Sequence, residues 1–300
     1  MVERSPAGGG SRLTADHEPA PGEASPSPPR PDAWTPPARR DLPPRPDVVP
    51  VHPSVPAPGQ VGGPWGLRVP WGFWEALLVG VVGFLIGGVL ALPVALPSSE
   101  GDLTDLQFAL ASLLGEIGLF AAMAGWLRIR HRRAVPALAI RTDRPADLAI
   151  GFGAGLLVYP TAVIVVALLV ELVLRVVTGH GVEAPDQLPS SISGGALVLT
   201  GFLVILAAPV AEELLFRGFL FRSIRDRRGF WPAAAVSSVL FGLVHWQGSP
   251  WEGSLLLVVT LVFVGLALAA IYEWRRNLLA NMAAHCAFNV VGFMLYVLSR

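Results

Sequence analysis

From Trp65 onward the chain alternates long apolar runs with short polar connections; before Trp65 no such run occurs. The runs predict seven transmembrane helices, over 73–96, 106–127, 147–174, 196–222, 231–247, 254–273 and 277–298. A helix rises about 1.5 Å per residue, so some 20 apolar residues cross a hydrocarbon core of roughly 30 Å, and only the fifth run is short for this. Trp65, Trp71 and Trp74 precede the first run and read as an interfacial aromatic belt. The fold class expected is an all-α polytopic membrane protein. Residues 1–64, rich in Pro, Gly and Ser, cannot bury enough apolar surface to offset chain entropy and read as a disordered cytoplasmic tail without a signal-peptide core. Residues 65–195 then form N-terminal transmembrane helices, and 196–300 form a compact block of four spans with short connections.

The polar connections differ in charge. Arg39, Arg40, Arg45 and Arg68 precede the first span, and Arg128, Arg130, Arg132, Arg133, Arg141 and Arg144 separate the second from the third. Arg222, Arg225, Arg227 and Arg228 follow the fourth, and Arg275 and Arg276 precede the seventh. The remaining connections carry Glu100, Asp102, Asp105, Glu183, Asp186 and Glu252. The two sets alternate, so the positive-inside rule predicts a cytoplasmic N-terminus and an external C-terminus.

Several ionisable groups fall inside the spans, where each costs at least a few kcal/mol and usually lines a functional interior. The fourth span carries Glu212, Glu213 and Arg217. Glu213 and Arg217 are i,i+4 neighbours able to pair, while Glu212 points about 100° away from them. A buried ion pair with one satisfied extra carboxyl group is the plain reading of that trio; a chemical site is the other. The fifth span ends in Phe241-Gly-Leu-Val-His245, two side chains one turn apart. The seventh carries Asn277, Asn281, His285 and Asn289 at intervals of four, a polar stripe that must face protein or water. Counted along each helix from its arginine-rich end, Glu212, His285 and Asn289 lie about 12–18 Å deep and His245 about 21 Å. Glu116 in the second span is a further intramembrane carboxyl group with no partner in the pattern. Glu171 and Arg175 are spaced to pair near the end of the third, and Gly151, Gly153 and Gly155 read as helix-packing positions.

The ordered triple Glu212-Glu213-Leu-Leu-Phe-Arg217, Phe241-Gly-Leu-Val-His245 and His285-Cys-Ala-Phe-Asn289 resembles the CAAX prenyl protease and bacteriocin-processing family of intramembrane endopeptidases, with its pattern EExxxR, FxxxH and HxxxN on successive helices. The resemblance covers 196–298. It implies that Glu212 and His245 activate a water, and that His285 and Asn289 stabilise the oxyanion of an attacked peptide carbonyl. Glu213, Arg217 and Phe241 are then supporting residues. Glu212, His245 and His285 could instead ligate zinc, and with the histidines on different helices the spacing leaves both readings open. The implied partners are a polypeptide substrate presented from the membrane and the lipid bilayer.

Composition narrows the rest. The chain is 53% hydrophobic, 15% charged and formally neutral, so no basic field for nucleic acid exists. All of its positive charge is arginine and none lysine, which with abundant Ala, Gly, Pro and Val points to a G+C-rich bacterium and its plasma membrane. The single cysteine, Cys286, excludes an internal disulfide and reads as a packing residue. A proton-coupled transporter and a non-catalytic scaffold of protease ancestry remain as alternatives; the transporter expects an internal repeat, and none is evident.

Overall fold

The computed structural model describes residues 65–96, 103–189, 192–248 and 250–299. The expectation of a disordered tail over 1–64, and the acidic connection residues Glu100 and Asp102, lie outside them. Seven helices follow in the expected order: α1 Phe73–Ala95, α2 Asp105–Arg130, α3 Ala146–Thr178, α4 Gly194–Arg228, α5 Phe230–Leu243, α6 Trp251–Arg275 and α7 Leu278–Leu298. Six are long and apolar enough to cross a membrane, and α5 is the short one. No strand occurs among the described residues. The chain is an integral, all-α membrane protein. Its outward faces are apolar, as on α3, where Leu157, Val173 and Val176 are all exposed.

Local chemistry explains several boundaries. Thr104 and Gln107 close a capping box at the start of α2, satisfying two backbone donors that a helix leaves orphaned. Asn277 caps α7 by accepting from Leu279 N at 3.1 Å, so the outermost member of the polar stripe is a structural cap. α1 and α2 form a hairpin in which Gly87 and Gly118 meet so closely that a Cβ on Gly118 would lie 2.2 Å from the Gly87 nitrogen.

α3 lies against α7 through Gly151 and Gly155. A Cβ at either would sit 1.9 Å from a carbonyl oxygen, that of Ala280 or Ala284 respectively. Those two glycines are therefore close-packing positions as expected, whereas Gly153 faces open space. Ala280 and Ala284 immediately precede Asn281 and His285, so the glycine contact fixes the depth and rotation at which α7 presents its polar stripe.

The arginine-rich connections all gather at one end of the bundle. Arg225 pairs with Glu273 at 2.6 Å, Arg275 with Asp147, and Asn277 donates to Asp147 at 3.0 Å. Tyr272 donates to Leu138 O of the 3-10 helix Arg132–Leu138 at 2.9 Å. The segment before α1 departs from expectation here. Trp74 is exposed, as an interfacial residue should be, but Trp65 and Trp71 are buried inside the protein. Trp71 stacks on Phe219 with centroids 4.7 Å apart and donates to its carbonyl at 3.2 Å. Trp65 lies under the Arg222 guanidinium, 4.5 Å from ring centre to carbon. Arg222 is itself fully buried, donating to Leu67 O and Asp226. Residues 65–72 are thus a strap across the end of α4 and α6, because indole rings there gain protein contacts and a cation rather than a headgroup layer.

Candidate active site

α4 is interrupted twice by π-helical turns, Leu203–Ala207 and Leu214–Phe221, and Glu212 and Glu213 end the short α-helical stretch Ala208–Glu213 between them. Pro209 explains the first interruption. In a π register the nitrogen of residue 209 would bond the carbonyl of residue 204, but proline has no N–H. The Val204 oxygen is thereby free, and Asn289 on α7 donates its Nδ2 to it at 2.7 Å. A local backbone defect is used to dock the two helices that carry the polar motifs.

Glu213 is the hub. Its side chain is completely buried, as is that of Arg217, whose Nη1 donates to Glu213 Oε1 at 2.8 Å. The same oxygen meets His285 Nδ1 at 3.0 Å, and Asn281 Nδ2 donates to Oε2. Arg217 Nη2 donates onward to Gly265 O on α6 at 3.0 Å, and its guanidinium lies 4.9 Å over the Phe241 ring. Glu213 thus ties α4 to α7 directly, and to α6 and α5 through Arg217. Further hydrogen bonds offset the burial of this ion pair, although Arg217 Nε has no hydrogen-bond partner among the described residues.

Glu212 sits differently. It is partly accessible, at 17% of its side chain, and its Oε2 lies 3.7 Å from His285 Nε2, longer than a hydrogen bond. A carboxylate paired to Arg217 can only accept, so His285 Nδ1 donates to Glu213 and its Nε2 is turned to Glu212. Glu116 on α2 reaches the same neighbourhood: the charge of Glu212 acts on it, and its buried Oε2 has no hydrogen-bond partner among the described residues.

His245 lies two residues beyond Leu243, where α5 ends, in the turn that follows rather than within the span. Its Nδ1 is 2.8 Å from Phe241 O, a carbonyl that can only accept, so Nδ1 carries the proton and Nε2 the lone pair. Phe241 is nearly fully buried and touches both imidazoles, with ring centroids 5.1 Å from His245 and 5.7 Å from His285. The structure therefore brings Glu212, Glu213, Arg217, Phe241 and His285 into one contact network. It holds His245 against the Phe241 ring and Asn289 on the Val204 carbonyl. Among the described residues no three His, Cys, Asp or Glu side chains are grouped so as to hold a metal ion.

Residues 194–291 match the type II CAAX prenyl endopeptidase Rce1-like family. The matched region holds all three motifs, and its limits fall on α4 through α7. The chain is 34% identical over 91 residues to the UPF0177 protein YxdF of Lactococcus lactis, which is 30% of this chain and 46% of that protein. It is 36% identical over 91 residues to the uncharacterized protein YpbD of Bacillus subtilis, 30% of this chain and 41% of the relative. A third match, 26% identical over 84 residues, is to the Bacillus subtilis protein described as "putative membrane peptidase YdiL", covering 28% of this chain and 32% of the relative. The chain thus spans less than half the length of each of these relatives. No solved structure matches it.

Two participants were poorly marked in the sequence. Asn281 was visible only as part of the four-residue polar stripe, and its use as a donor to Glu213 depends on the rotation set by Gly151 and Gly155. The Gly265 carbonyl, which receives Arg217, had no signal beyond a glycine in an apolar helix.

Proposed function

We propose that the protein is an intramembrane endopeptidase that hydrolyses a peptide bond of a membrane-associated polypeptide with a Glu212-activated water. The observation that carries the reading is the gap of 3.7 Å between Glu212 Oε2 and His285 Nε2, with Glu213 fixing the opposite face of the imidazole at 3.0 Å. A water on the flank of that gap touches both atoms.

Glu212 takes a proton from the water as its oxygen attacks the scissile carbonyl carbon. The resulting oxyanion receives hydrogen bonds from His285 Nε2–H and from the second N–H of the Asn289 amide, whose first is held by Val204. Collapse breaks the C–N bond, and Glu212 returns the proton to the leaving amine. His245, with its Nε2 lone pair, accepts from the water on the side of Phe241. Glu213, Arg217 and Asn281 touch no reacting atom; they set the tautomer and angle of His285. This chemistry needs no metal.

Liposomes containing the purified protein and membrane-anchored test peptides decide the matter. The wild type generates new peptide termini, and Glu212→Gln, folded to the same extent, generates none. Equal cleavage by both would remove Glu212 as the base.

A further inference from the structure

At the arginine-rich end of the bundle, well away from Glu212, a cavity of about 470 Å³ opens between the start of α1, the last turn of α4 and the first turns of α5. Its wall is apolar, including Phe73, Trp74, Pro232 and Val236, and its rim carries Arg227 and Arg228. No carboxylate lines it. Arg227 spends one nitrogen on the Ser223 carbonyl at 2.8 Å, and Arg228 has no ion pair or hydrogen bond among the described residues. Nearby acidic groups are committed elsewhere: Asp226 to Arg222, Glu273 to Arg225, and Glu75 to Trp126 and His131. Trp74, 77% exposed, lines the opening, and Trp231, 76% exposed, immediately precedes its Pro232; both mark the level of the membrane interface.

We infer that this groove is a seat for an anionic phospholipid, with its phosphate on Arg227 and Arg228 and an acyl chain along Phe73, Trp74 and Val236. The volume lies in the range of small-molecule sites, yet the lining is too apolar for a soluble anion. Two guanidiniums with free N–H donors match a phosphate. A basic rim over an apolar slot between helices at the interface is how membrane proteins select anionic lipids. The site is independent of the peptidase reading. Its one link to that reading is α4, which carries both Arg227 and Glu212.

Native mass spectrometry of the delipidated full chain, titrated with dioleoyl phosphatidylglycerol or dioleoyl phosphatidylcholine, tests it. The first phosphatidylglycerol should bind about thirtyfold more tightly than phosphatidylcholine, the effect of two arginines each contributing at the interface. Arg227→Gln/Arg228→Gln, both exposed positions, should bring the two lipids to equal affinity while thermal unfolding in phosphatidylcholine stays unchanged. Val236→Trp, which fills the slot, should weaken binding with both arginines intact. Equal binding of the two lipids by the wild type, or full phosphatidylglycerol selectivity in the double variant, would overturn the assignment. So would displacement by glycerol 3-phosphate, which would identify a soluble phosphate as the ligand.

Discussion

Replacing Glu213 by glutamine removes one charge and almost no volume, and the consequence should be mainly structural. The carboxylate accepts from Arg217 Nη1, His285 Nδ1 and Asn281 Nδ2, and both it and Arg217 are fully buried. Hydrogen bonds to charged groups contribute about 1.5–3 kcal/mol each. Stranding a buried guanidinium beside a neutral amide costs about 3–5 kcal/mol in total, because a glutamine oxygen in the place of Oε1 still serves two of the three donors. For a chain of this size that lowers the unfolding midpoint by on the order of 10 °C. Glu212→Gln is the control: Glu212 makes no hydrogen bond among the described residues and is partly accessible, so its stability should stay within about 1 kcal/mol of wild type. The assay is thermal unfolding of wild type, Glu212→Gln, Glu213→Gln and Glu213→Gln/Arg217→Met in one detergent. The double variant should recover part of the loss, since it removes the stranded charge as well. If Glu213→Gln unfolds with Glu212→Gln, or if the double variant loses the sum of the single losses, the hub described for Glu213 is wrong.

Three other perturbations have definite outcomes. Gly155→Leu forces side-chain atoms into the Ala284 carbonyl, 1.9 Å from where even a Cβ would lie, so α7 must shift; cleavage should fall at least as far as in His285→Ala, measured on equal amounts of folded protein. Trp71→Ala removes a fully buried ring and its hydrogen bond to Phe219 O and should cost about 3–5 kcal/mol by the same unfolding assay. Dialysis against a chelator should leave peptide cleavage intact; loss of activity restored only by zinc would contradict a metal-free water site.

Much of this architecture was legible before any coordinates. All seven helices were marked by apolar runs, six of them long enough to cross a membrane, because a helix in lipid must be apolar along its whole length and the only question is where it stops. The alternation of arginine-rich connections was equally plain, and Arg225, Arg275, Arg141 and Arg68 do gather at one end with Glu273 and Asp147. Glu213 and Arg217 paired as their spacing required. What escaped were properties of the third dimension. Trp71 looks like a belt residue in a sequence, and only the presence of Phe219 beneath it makes it a core residue. Arg222 counted as one more charge flanking the membrane, yet it is buried between Trp65 and Asp226. His245 was placed within a span because the apolar run continued past it, whereas α5 ends at Leu243 and leaves the imidazole in a turn. The π turn before Glu212 follows from Pro209, but its register is not fixed by composition, and the π turn Leu214–Phe221 has no mark in the sequence. Glu116 could be flagged by its charge alone, and its nearness to Glu212 came from the packing of α2 on α4.

The central claim is that Glu212 delivers a water oxygen to a peptide carbonyl beside His285. Cleavage of a membrane-anchored peptide in water enriched in oxygen-18 tests it most directly, read as the mass of the new C-terminus. The account predicts one labelled oxygen per product with the wild type and no product with Glu212→Gln at equal folded protein. Labelled product formed at the wild-type rate by Glu212→Gln would contradict it.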